Sequence, residues 1–200
     1  MPRLSGNLQA FVLRTGQLDA LVDDITAAPP RYQSAIGELI FLRLFSMLEI
    51  ELEDVTTKIV CGARYLDGTA PALLHYSRSA SLARDAMRKH GRPKAIDLKW
   101  TIGADLRGNV KFVLDPSDPY FAAVTAHEAR VDEMRRIRNH IAHSNSDTLR
   151  KYKPVVVTHY GAYVPRITPA VLLQSGRFRP TLLKQYLAAA RIIIKEFARG

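Results

Sequence analysis

Cysteine is almost missing from this chain: Cys61 is the only one, so no disulfide can form within it. Cys61 falls at the end of an apolar helical stretch with no histidine beside it, which suits a buried structural thiol better than a nucleophile. Long hydrophobic runs are missing too. Leu39-Ile40-Phe41-Leu42 and Ile192-Ile193-Ile194 stop far short of the roughly 20 apolar residues a membrane span needs, so no membrane segment is predicted. There is no glycine-rich phosphate loop, no serine-centred elbow, no internal repeat and no low-complexity tract. Met1 to Gly6 lacks the basic-then-apolar pattern of a secretory leader, and the expected location is therefore cytoplasmic. Acidic residues are scarce, 19 against 29 Lys and Arg, and this leaves a formal net charge of +10. Such an excess attracts polyanions, of which nucleic acid is the commonest inside cells, although an acidic protein or an anionic membrane surface would also suit it.

What is present is enough to fold. With 200 residues and 47% hydrophobic content the chain can bury a core, and a single domain over residues 1–200 is expected. Apolar residues recur at helical spacing from Asn7 to about Ala27, where Pro29-Pro30 ends the run, and again from Gln33 to about Tyr65. Ser79 or Ser81 can cap a shorter helix that runs through Met87 to the Gly91-Arg92-Pro93 break. Between Ala95 and Leu114 the alternation of Leu98, Trp100 and Ile102, with Arg107-Gly108-Asn109 as a turn, suggests a small hairpin or an irregular excursion. Asp115 to Pro119 opens a long helix. The β-branched run from Val155, Gly161 and the segment to Ile167 read as a hairpin near 155–168, and helical spacing returns from Thr181. The fold class expected is mainly α, a helical bundle carrying one β-hairpin before its last helix.

Near the end of the long helix stands Arg138-Asn139-His140-Ile141-Ala142-His143. Histidine can take and give a proton at neutral pH, and the arginine fork matches a phosphate. At about 100° per residue, Arg138 falls in the middle of the arc that carries Phe121, Val124, Val131, Met134 and Ala142. A guanidinium on an apolar face needs an anion, either a carboxylate such as Glu38 or Glu49 or a phosphate admitted by a cleft or a subunit interface. His143 is five residues further on, about 140° around a continuous helix. The two share a face only if the helix ends or distorts at that point, for which Ser144-Asn145-Ser146-Asp147 is a candidate, or if a second subunit completes the site. Asn139, four residues before His143, can face it and orient the imidazole or bind a ribose or phosphate oxygen.

The hexapeptide resembles the signature of the HEPN superfamily, an arginine, four to six residues and a histidine, often with a polar residue directly after the arginine, here Asn139. The wider stretch from Asp132 to Ser144 and the helical layout are similar as well. The resemblance implies a HEPN-like helical domain and metal-independent endoribonuclease chemistry in a cleft between two subunits. His143 would be the general acid or base, Arg138 would hold the scissile phosphate, and Asn139 would support both. Expected products are a 2′,3′-cyclic phosphate and a 5′-hydroxyl. It also implies RNA and a second copy of the chain as partners, a toxin or antiphage role, and an antitoxin protein. One subgroup carries a tyrosine two residues after the histidine, the position its antitoxin modifies. This chain has Asn145 there, so an antitoxin would act by physical binding.

Arg135, Arg136, His140 and Lys151 are the expected RNA contacts, within a basic rim that also holds Arg130, Arg150 and Lys153 and is opposed by Glu128, Asp132, Glu133 and Asp147. Tyr152, Tyr160 and Tyr163 can stack on bases or pack the hairpin. His140 and His143 lie three apart, but no cysteine flanks them and a third ligand would have to come from Asp147 or elsewhere, so neither a metal nor any other cofactor is expected, and His127 reads as a packing residue. The alternative is a noncatalytic RNA-binding or protein-interaction module in which Arg138, Asn139 and His143 form a buried polar network.

Overall fold

The structure, a computed structural model, describes residues 3–200. It is mainly α-helical. In chain order the helices are α1 (Leu4–Asp24), α2 (Pro30–Val60), α3 (Ala80–Lys89), α4 (Gly103–Val110), α5 (Pro119–His143), α6 (Ser146–Tyr160), α7 (Pro169–Gln174) and α8 (Leu182–Arg199), with a 3-10 turn at Ile25–Ala27. Among the described residues there is no strand, only an isolated antiparallel bridge between Leu73 and Leu114, and no helix is long and apolar enough to cross a membrane.

The chain forms two compact units. The first comprises the N-terminal segment through Val12, then Leu48–Val131 and Arg191–Gly200. Its core gathers Phe11, Leu52, Ile59, Met87, Trp100, Val110, Val124 and Phe197. Asp118 starts α5 here: its buried carboxylate accepts from the Tyr120 amide at 2.9 Å, from the Ala72 amide at 2.8 Å and from the Tyr65 hydroxyl at 2.5 Å. The expected helix opener is thus used at Asp118-Pro119, while Asp115 closes a turn onto Ser117. Burial and the Asp118 charge together push the Tyr65 hydroxyl above its ordinary pKa and keep it a donor.

The expected excursion at 95–114 contains α4 instead of a hairpin. Asn109, placed in the predicted turn, lies inside that helix and ties it down through a 2.8 Å bond from its side-chain amide to the Lys99 carbonyl. Gly103 permits the close approach of α4 to α5, since a Cβ there would stand 2.6 Å from the Cβ of Glu128.

The second unit comprises Leu13–Met47 and Asp132–Ala190. Ile40, Phe41, Leu44, Met134, Ile137, Tyr152, Val156, Leu173, Leu183 and Tyr186 are buried in it. The predicted hairpin near 155–168 is not formed, because its first half is the end of α6. Two local devices settle the matter. Asn145 and Thr148 form a reciprocal capping box at the start of α6, and Gly161 ends the helix in the left-handed region at φ 79°. Between them Thr148, Tyr152, Val155 and Val156 recur at helical spacing and are buried, which outweighs the β-branched run and the interior Pro154. Thr168 caps α7 by accepting from Val171, with Pro169 at the first helical position.

Candidate functional site

The hexapeptide lies within the second unit, on the last turns of α5. Val131, Met134 and Ile137 are buried beside it, and Arg138, one position further, is half-buried. Its Nη1 donates a hydrogen bond to the Asn139 side-chain oxygen at 3.1 Å. Among the described residues Arg138 has no ion pair, so the carboxylate bridge considered from sequence is not made. Glu38 accepts a backbone hydrogen bond from Ala170 instead, and burial raises its carboxyl pKa. A half-buried guanidinium on an apolar face thus keeps donors for an external anion.

α5 continues without a break through His143, and Ser144 follows in the left-handed region at φ 44°. The Ser144 amide and hydroxyl both donate to the His140 carbonyl at 3.0 Å and end the helix there. Helix termination after His143, not before it, leaves Arg138 and His143 of one chain about 140° apart. His143 is exposed and makes no side-chain hydrogen bond among the described residues, so it stands outside any buried polar network. Asn139, expected to face His143, is turned to Arg138. Asn145, the residue two past the histidine, serves as the cap of α6.

His140 has a different part from the one expected. Its ring stacks on Tyr152, centroids 4.9 Å apart and planes at 23°, and its Nδ1 lies 3.2 Å from the Thr148 hydroxyl. Burial holds its pKa below the ordinary value and favours the neutral ring. It fastens the corner between α5 and α6. Tyr152, covered by this ring and fully buried, cannot serve as a base-stacking platform.

The expected RNA contacts are paired at short range. Arg135 at 2.5 Å and Arg136 at 2.7 Å both bind Asp132, while Arg150 at 2.7 Å and Lys151 at 2.6 Å both bind Asp147. Each trio carries one surplus positive charge. Two acids thus offset half of the positive charge that these four side chains carry.

Sequence reading missed a polar cluster behind this surface. Glu133 on α5 meets His159 on α6, with Oε1 and Nε2 2.9 Å apart, and accepts a hydrogen bond from the hydroxyl of Tyr186 on α8. The carboxylate and imidazole are largely buried, and Tyr186 is fully so. By joining three helices this cluster fixes the rotation of α5 five residues before Arg138. The signal was the spacing of Tyr152, Val155, Val156 and His159, which places His159 on the inward face once the segment is read as a helix.

Among the described residues no group of three or more His, Cys, Asp or Glu side chains could hold a metal ion. Comparison of the chain with protein-family models, curated proteins and solved structures gives no match.

Proposed function

We propose that this protein is a HEPN-like, metal-independent endoribonuclease whose working site forms where the α5 ends of two copies meet. The observation that carries the reading is the pairing of a half-buried Arg138 that has no carboxylate partner with an exposed His143 at the end of the same unbroken helix. With the two side chains about 140° apart in one chain, a phosphate held by Arg138 is reached by the His143 of a second copy.

In this arrangement one imidazole removes the proton from a ribose 2′-hydroxyl, and the oxygen attacks the adjacent phosphorus. The bond from phosphorus to the 5′-oxygen breaks, and a second imidazole supplies the proton that oxygen needs. Products are a 2′,3′-cyclic phosphate and a 5′-hydroxyl. Arg138 stabilises the charge that builds on the phosphoryl oxygens, and Asn139 holds the guanidinium plane through its side-chain oxygen. Arg135, Arg136 and Lys151 supply backbone attraction without reading sequence. Such chemistry suits a cytoplasmic toxin or antiphage role, controlled by an antitoxin protein that covers the site.

Purified protein incubated with single-stranded RNA in EDTA is expected to give cyclic-phosphate ends, and Arg138→Ala or His143→Ala to lower the rate by about 100-fold or more. An exposed His143 without hydrogen bonds predicts an unchanged melting temperature for its alanine variant. Absence of cleavage by the wild type, or activity that survives His143→Ala, overturns the proposal.

A further inference from the structure

A second site lies in the first unit, on the face of α3 that the core does not use. Ala83 and Met87 are the buried residues of α3, whereas Leu82, Asp85, Ala86 and Lys89, at spacings of three, four and seven, line a cavity of about 590 Å³. Its opposite wall is the segment His75 to Arg78, which is held by backbone bonds from His75 to Val113 at 3.2 Å and from Ser77 to Val60 at 3.3 Å. Gly91, at φ 65° and close against Phe112, ends the wall after His90.

Four features define what this cavity suits. The imidazoles of His75 and His90 both line the cavity and lie against each other, with centroids 4.7 Å apart and planes tilted by 33°. Tyr76 and Leu82 stand 59% and 55% exposed in the wall, an apolar surface that a planar ring would cover. Arg78 and Lys89 are exposed there and form no ion pair among the described residues, against one carboxylate, Asp85. Ser77, in the same wall, is 3% exposed, and its covered hydroxyl has no hydrogen-bond partner among the described residues. The apolar wall, the neighbouring imidazoles and the two cations fit a planar base joined to a phosphate. The volume lies within the range of small-molecule sites.

We infer that the cavity between α3 and the His75–Arg78 segment binds a nucleotide, its base against Tyr76 and Leu82 and its phosphate at Arg78 and Lys89. This site is separate from Arg138 and His143 and does not rest on the ribonuclease reading. The same nucleotide chemistry is offered by a free mononucleotide and by one residue of an RNA strand.

The test follows the imidazole proton resonances of His75 and His90 in the full-length protein, assigned by His75→Gln and His90→Gln, during titration with 5′-AMP. Inorganic phosphate serves as the control, and His143→Ala protein is used so that no ligand can be cleaved. Expected are saturable shifts of both resonances with 5′-AMP, at least tenfold weaker binding of phosphate, and at least tenfold weaker 5′-AMP binding by Arg78→Ala/Lys89→Ala. A dinucleotide that binds more tightly than 5′-AMP identifies the RNA strand as the source, and equal binding identifies the free nucleotide. Both results support the site. No shift with 5′-AMP, phosphate binding as tight as 5′-AMP, or unchanged affinity in the double variant overturns it. Both substituted side chains are exposed, and an unchanged melting temperature confirms that the variant is folded.

Discussion

At the corner between α5 and α6, His140 sits on Tyr152 and beside Thr148, so its proton is resisted by burial. His127 is shifted down for the same reason. A histidine whose pKa is depressed in the folded state binds fewer protons there than in the unfolded chain, so its contribution to stability is present above the unfolded value of about 6.5 and is lost as pH falls toward the folded one. Denaturant unfolding midpoints are therefore expected to drop below about pH 6.5, and His140→Gln is expected to flatten that drop. An identical pH profile for the variant contradicts the assignment. In the same corner, Asn145→Ala removes the acceptor of the Thr148 amide and is expected to cost about 1 kcal/mol in chemical denaturation. The side chain most clearly legible from sequence was Arg138, placed on the apolar face of α5 by angle counting alone. The partners of Arg135, Arg136 and Lys151 were not legible, because an acid three or four residues away competes with a distant phosphate in a way that composition does not decide.

Among the elements, the long helices were readable because many apolar residues repeat at a single period. α2 was expected from Gln33 to about Tyr65 and runs Pro30–Val60, and α8 was expected from Thr181 and starts at Leu182. α4 and α6 were misread for opposite reasons. In α4 a Gly-Asn pair mimics a turn, although Asn109 is bonded to Lys99 from within the helix. In α6 a valine run mimics a strand, although the Asn145–Thr148 box and Gly161 mark both helix ends. Pro154 occupies the interior of α6, where it forfeits one backbone hydrogen bond. Pro154→Ala is expected to raise stability by about 1–3 kcal/mol, with a matching rise in melting temperature by circular dichroism. A fall in melting temperature contradicts the description of α6 as a continuous helix. Gly103→Ala, in contrast, forces α4 from Glu128 and is expected to cost about 1–3 kcal/mol.

For the whole molecule, a net charge of +10 predicts RNA binding governed by counterion release. Affinity of His143→Ala protein for a single-stranded oligonucleotide is expected to fall about tenfold or more between about 50 and 200 mM salt, and a salt-independent affinity contradicts an electrostatic interface. The central claim is that Arg138 of one copy works with His143 of another, since unbroken helix between them keeps the two apart within a chain. Complementation tests it most directly: Arg138→Ala and His143→Ala chains, each inactive alone, are co-expressed, purified as mixed assemblies and assayed on RNA in EDTA. The account predicts partial recovery of cleavage, because a mixed pair keeps one arginine and one histidine facing each other across the two chains, with water making the second proton transfer in place of the missing imidazole. Mixed assemblies as inactive as either variant alone contradict it.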